Sequence, residues 1–213
     1  MNLFTLFYIG FILGLTGAMA PGPLLTVTIS ESLKRGGIVG PQLSLGHSIL
    51  EFFLLVLIVF GFTKWLNNDT VYGVIALLGG ALLIRMGYLM IKAIPTYTLG
   101  GNLIDKRDGL HPLILGIIVT LSNPYWFIWW LTIGVGYVIF AKDMGFAGLA
   151  MFFLGHISSD FAWYSFVSYG IRFGGRVIKM PVLKGILLFC SIFLLFFGGS
   201  FLYKGFKLLF ILP

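Results

Sequence analysis

Residues 43–61, LSLGHSILEFFLLVLIVFG, and residues 152–170, FFLGHISSDFAWYSFVSYG, are two versions of one string. Adding 109 to the first numbering gives the second, and five of the 19 positions are identical. The matches are Leu45-Gly46-His47, Phe52 and Gly61 with Leu154-Gly155-His156, Phe161 and Gly170, while Glu51 is answered by Asp160. Both strings lie midway along apolar runs, where an ionisable group is costly and is a functional candidate by default. A duplicated apolar unit with an acid near the centre of each copy suggests a transporter built from internal repeats.

Composition bounds the class. The chain has 213 residues, of which 59% are hydrophobic and 10% charged, with a mean hydropathy of +1.03. Soluble domains carry roughly 25% charged residues. Met1–Ser30, Gly109–Ala141 and Gly185–Tyr203 contain no Asp, Glu, Lys or Arg. Each approaches or exceeds the roughly 20 residues a helix needs to cross a bilayer. The reading is an all-α, polytopic membrane protein. The net charge of +7 does not indicate nucleic acid, because the basic residues sit mostly in short connections between apolar runs, as the positive-inside rule expects. The single Cys190 lies in an apolar run, so no disulfide within the chain and no redox pair is available. Gly17-Ala18-Met19-Ala20 resembles a signal cleavage site, but no basic segment precedes it and the apolar run continues to Ile29. It is read as part of a retained helix.

Six spans are expected, near 3–30, 38–63, 71–93, 111–140, 145–171 and 182–207. They divide into a first three-helix repeat over 1–94, a linker over 95–110 holding Pro95, Gly100, Gly101 and Asp105-Lys106-Arg107-Asp108, and a second three-helix repeat over 111–213. Besides the opening pair, Leu13-Gly14 aligns with Leu115-Gly116 and Ala20-Pro21 with Asn123-Pro124. Gly79-Gly80 aligns with Gly198-Gly199, and Arg85 with Lys204. An odd number of spans per half forces the halves to enter the membrane in opposite directions, which makes the repeat inverted. Loops 1–2, 3–4 and 5–6 hold nine basic residues against four on the other side, with Arg85 set aside inside a span. Both termini are therefore expected outside.

Two sets of residues carry candidate chemistry. The first is Pro21-Gly22-Pro23 in span 1 with Asn123-Pro124 in span 4. A proline inside a helix removes a backbone donor and clashes with the preceding turn. Breaks at corresponding places in two halves are the best sequence pointer to a transporter's substrate site, because freed amides and carbonyls must face protein or a wet cavity. The competing reading is that the prolines only bend long helices. The second set is His47 with Glu51 and His156 with Asp160, each pair four residues apart on one helix face. Burial disfavours a carboxylate and a nearby imidazolium favours it. An acid held between those effects can bind and release a proton, so Glu51, Asp160, His47 and His156 are the candidates for ion coupling. The competing reading is an interhelical hydrogen bond that only locks the bundle.

Two imidazoles and two carboxylates also suit a divalent metal, so metal-ion export is the alternative function. HxxxE and HxxxD are weaker signals than clustered Cys or an HExxH helix. Trp126, Trp129 and Trp130 share a face after the second break. They could cover a substrate's ammonium, with Trp126 the substrate-site candidate, although packing and interface roles compete for all three. Arg85 and Lys204 read as snorkelling side chains, and the glycine pairs as close-packing positions.

Pro21-Gly22-Pro23 near the N-terminus, six short-looped helices, Asn123-Pro124 opening the second half and Leu154-Gly155-His156…Ser159-Asp160…Trp163-Tyr164 resemble the lysine exporter (LysE/RhtB-type) translocator family over nearly the whole chain. The resemblance implies secondary, proton-driven export of amino acids or similar small solutes across the cell membrane of a prokaryote. It carries over to Pro21, Gly22, Pro23, Asn123, Pro124 and Asp160. The expected partners are a small-molecule substrate, protons or another coupling cation, and membrane lipid. No cofactor, no nucleic acid and no enzymatic activity are expected; the sequence leaves the oligomeric state open. A membrane enzyme or redox carrier lacks its motifs here: there is no Cys pair, no HExxH and no Gly-x-Ser-x-Gly elbow.

Overall fold

The computed structural model describes residues 2–20, 22–61, 69–96, 109–174 and 180–211. Helix α1 (Leu3–Ala18) begins where the Asn2 side chain accepts the Thr5 amide at 2.8 Å. It stops before α2 (Pro23–Arg35), which leaves at 74°. Pro23 occupies the first turn of α2, where its missing N–H costs nothing. The single span expected over 3–30 is thus two helices. Pro21 lies outside the described residues. Helix α3 (Val39–Val59) follows, then α4 (Asp69–Ala93) with a 3-10 turn at Ile94–Thr96. Most of the expected linker, 97–108, lies outside the described residues.

The region expected as one span over 111–140 is also interrupted. Helix α5 (Pro112–Leu121) ends at Ser122. Asn123 is extended, and α6 (Pro124–Trp129) starts on a proline that cannot continue the α5 ladder. The chain widens into a π-helical turn at Trp130–Gly134 and returns to regular geometry in α7 (Val135–Lys142). Helices α8 (Gly145–Gly174) and α9 (Met180–Phe210) complete the order. No strand occurs among the described residues.

By length and composition, Val39–Val59, Asp69–Lys92 and Met180–Phe210 can each cross a membrane, and the bent α1–α2 pair makes a fourth candidate. Helix α8 has the length, with 30 residues, or about 45 Å against a hydrocarbon core of about 30 Å. His156, Ser158, Ser159, Asp160, Ser165 and Ser168 make it more polar than the other long helices. Of these, His156, Ser159, Asp160 and Ser168 are buried. Large apolar side chains cover the outside, including Phe4, Phe60, Leu78, Phe146 and Phe196.

The packing is set by backbone contacts at glycine. Helix α1 packs on α8, α5 on α3, α3 on α8, and α4 on α9. A Cβ at Gly155 would strike the Phe7 carbonyl, and one at Gly46 the Leu113 carbonyl. A Cβ at Gly10 would strike the Phe152 carbonyl, and one at Gly116 the Leu43 carbonyl. These are the same two contacts made twice. Gly46 and Gly155, and Leu43 and Phe152, are 109 apart; Phe7 and Leu113, and Gly10 and Gly116, are 106 apart. The partner of Gly116 by packing is therefore Gly10 rather than Gly14, about one helical turn away from the match read in the sequence.

The α4–α9 contact uses glycines as well. A Cβ at Gly80 would lie 2.7 Å from the Gly198 carbonyl oxygen, and one at Gly198 would lie 2.8 Å from that of Gly80. One helix thus packs on the other through small residues at seven-residue intervals: Gly73, Gly80 and Gly87 against Gly205, Gly198 and Ser191. Gly79, which the sequence aligned with Gly198, instead faces the Ser122 carbonyl at the second break.

Candidate functional site

His47 and Glu51 sit on successive turns of α3, and His156 and Asp160 on successive turns of α8. All four are buried. The α3–α8 crossing brings the two pairs together, with the Ser44 hydroxyl donating to the Asp160 carbonyl at 3.3 Å. The centre is Glu51, which is 1% exposed. Its Oε1 lies 3.1 Å from His47 Nε2 and 3.1 Å from His156 Nε2. The same oxygen accepts the indole N–H of Trp126 at 3.1 Å and of Trp130 at 2.9 Å. Glu51 Oε2 has no hydrogen-bond partner.

Asp160 is placed differently. Its Oδ2 is 3.9 Å from both His47 Nε2 and His156 Nε2. That atom is buried and has no hydrogen-bond partner. The two acids correspond in sequence, but aspartate is one methylene shorter. Glu51 reaches between the imidazoles, and Asp160 stops short of both.

The histidines also differ. His47 Nδ1 is 2.8 Å from the Thr120 hydroxyl. With His47 Nε2–H facing Glu51, Nδ1 accepts the Thr120 proton in a neutral ring and donates to the Thr120 oxygen in a charged one. His156 Nδ1 is buried without a partner. The packing equivalent of Thr120, 106 residues earlier, is Gly14, and a Cβ there would lie 2.8 Å from His156 Nδ1. The hydroxyl that holds one histidine thus has no counterpart at the other. His156 is enclosed instead by aromatic rings, with centroid distances of 4.8 Å to Trp129 and 5.2 Å to Trp130.

Both breaks border this cluster. A cavity of about 60 Å³ is lined by His47, Glu51, His156 and Asp160, room for about two waters. Ala18 and Leu24 from either side of the first break, and Thr120, Asn123 and Tyr125 around the second, also line it. At the second break the Asn123 side chain accepts the Tyr125 amide at 3.1 Å, and the Ser122 hydroxyl donates to the Ile118 carbonyl at 2.6 Å. Gly22 caps α2 without a side-chain hydrogen bond and Pro23 carries no N–H, so the Leu24 and Leu25 amides begin that helix without a side-chain cap. A larger cavity next to the first is lined by Gly22, Pro23 and Asn123.

The structure thus brings Glu51, Asp160, His47, His156, Trp126 and Asn123 to one cavity, with Gly22 and Pro23 at its neighbour. Thr120, which touches the cluster directly, was not among the candidate residues from sequence, and Trp130 was read only as one of three tryptophans that could cover an ammonium or pack. Trp130 shares a helix face with Trp126, which is a usable signal; a threonine in an apolar run gives none.

His47, Glu51 and Asp160 offer ligand atoms within 4.8 Å of one another, a spacing that admits a cation. Two indole N–H groups point at the same Glu51 oxygen, however, and their positive ends oppose a metal ion there. The donor set suits a carboxylate hydrogen-bonded by N–H groups better than it suits a metal ligand.

A bundle of apolar helices with interrupted segments and buried, mutually paired ionisable groups defines an integral membrane transporter. The chain belongs to the LysE type translocator family, whose description matches residues 15–205. Its members translocate small solutes across membranes. No curated protein and no solved structure matches the chain.

Proposed function

We propose that the protein is a proton-coupled secondary exporter of an amino acid or related metabolite in the cell membrane of a prokaryote. In this reading it has six spans in two inverted three-helix repeats, residues 1–94 and 111–213, with both termini outside. The α1–α2 pair acts as one broken span and α5–α7 as another. The recurrence of the Gly46–Leu113 contact as Gly155–Phe7 supports the repeat. A two-fold relation between halves carries each such contact into the other.

The observation that carries the functional reading is the convergence of both His/acid pairs on a cavity that both helix breaks border. Glu51 is the fixed counter-charge, tied down by four N–H groups. Asp160 is the group that exchanges a proton, since its Oδ2 faces two imidazoles without a hydrogen bond. The free amides at the start of α2 meet the substrate carboxylate. The rings of Trp126 and Trp129 and the acids meet its ammonium. A proton entering from outside neutralises Asp160 as the substrate leaves outside, the halves rock, and the proton leaves inside as the next substrate binds.

The test is efflux from proteoliposomes holding the purified protein and labelled amino acids, with and without an imposed pH gradient. Flux that rises with the gradient is expected. Flux of divalent metal in a parallel panel, with no amino-acid flux, would replace this reading with metal export.

A further inference from the structure

We infer that the larger cavity beside the helix breaks seats the substrate's side chain, and that the cargo is an amino acid with a large apolar side chain rather than a basic one. The inference rests on the substrate site proposed above. The cavity measures about 240 Å³, roughly eight times the share of one water. It is continuous in its walls with the small polar cavity, sharing Gly17, Leu24, Asn123, Tyr125 and Tyr164.

Its far wall comes from elements that contribute nothing to the ionisable cluster. Leu83 of α4 is fully buried there. Phe193, Phe197 and Phe201 of α9 stand on successive turns, with ring centroids 4.2 Å and 6.0 Å apart. Among the described residues, no Asp, Glu, Lys or Arg lines the cavity.

The two cavities together orient a zwitterion. Its ammonium is drawn to the side holding Glu51 and the unpartnered Asp160 Oδ2. Its carboxylate is drawn to the uncapped first turn of α2, a helix of 13 residues. The small cavity has no volume left for a side chain, so the chain points to the phenylalanine wall. A leucine, methionine or phenylalanine side chain loses apolar surface to that wall, which is favourable. A lysine side chain would carry a second ammonium into a space without a carboxylate, and a buried unpaired charge is heavily penalised. Specificity follows from that missing partner as much as from the apolar fit.

The experiment is efflux from proteoliposomes holding the full chain, comparing labelled leucine, phenylalanine, alanine and lysine. Leucine and phenylalanine are expected to exceed alanine and lysine by about tenfold or more. Phe197→Trp narrows the cavity and should lower the phenylalanine-to-alanine rate ratio about tenfold; Phe197→Ala should raise the tryptophan-to-leucine ratio. Ratios within one preparation are independent of how much protein folds. Lysine efflux equal to leucine efflux would overturn the inference while leaving the exporter reading intact. Rate ratios unchanged in both Phe197 variants would overturn the cavity's role. Failure of every amino acid to move would overturn the exporter reading itself.

Discussion

At Glu51 one carboxylate oxygen faces four N–H groups and the other faces none. Glu51→Ala would leave two imidazoles and two indoles without their shared buried acceptor. Breaking a buried ion pair from one side costs about 3–5 kcal/mol, so a marked fall in thermal unfolding temperature in detergent is expected. Thr120 is the next residue to test. Thr120→Val keeps the shape and removes the hydroxyl from His47 Nδ1, leaving it unpartnered at a cost of about 1–3 kcal/mol. Gly14→Ser is the complementary change, but its Cβ would press on Ser159 Oγ and His156, so it is expected to destabilise rather than to restore the symmetry. That His47 shares a helix face with Glu51, and His156 with Asp160, was legible because the spacing of four is written in the chain; that His156 lies within hydrogen-bond reach of Glu51 rather than of Asp160 was not. The inequality of the two acids was not, since it arises from one methylene and from indoles that only the second half supplies.

At the scale of elements, glycines set how close the helices come. Gly46 of α3 and Gly155 of α8 allow those helices to lie against the Leu113 carbonyl of α5 and the Phe7 carbonyl of α1. Gly46→Val places a side chain where the Leu113 backbone is and should destabilise the fold by about 1–3 kcal/mol or more, read as a lower unfolding temperature. The same substitution at Gly136, which has open space around it, serves as the control and is expected to have a much smaller effect. The breaks were visible in the sequence through Pro23 and Pro124, whose missing N–H groups interrupt a ladder wherever they fall. The register between α1 and α5 was not visible. Leu13-Gly14 and Leu115-Gly116 look alike as letters, yet packing pairs Gly10 with Gly116, because backbone approach and not residue identity defines equivalence. The phenylalanine wall of α9 was equally hidden. Phe196 is 71% exposed and its neighbour Phe197 is half-buried, and a helix apolar on every side carries no periodic mark of its inner face.

Across the whole molecule, the ionisable cluster sits where α3 and α8 cross, and the α4–α9 pair closes the large cavity from the side. Composition made the membrane class legible, since 10% charge over 213 residues leaves little material for a soluble surface. The topology proposed here predicts that a cysteine at Asn2, in a Cys190→Ser background, reacts with an impermeant maleimide added to intact cells. A cysteine in the 97–108 segment should react only after the membrane is opened. Labelling in the opposite pattern would reverse the orientation. Coupling between sites belongs to this scale too. If Asp160 carries the proton, its loss should uncouple flux from the gradient without emptying the substrate site, because the α2 amides and the apolar wall remain.

The most direct measurement is therefore amino-acid efflux from proteoliposomes with wild-type protein and Asp160→Asn, each with and without an inward proton gradient. The account predicts that the gradient accelerates wild-type efflux at least tenfold, and that Asp160→Asn, still folded by its unfolding temperature, shows no response to it. An Asp160→Asn protein that responds to the gradient as wild type does would contradict the account.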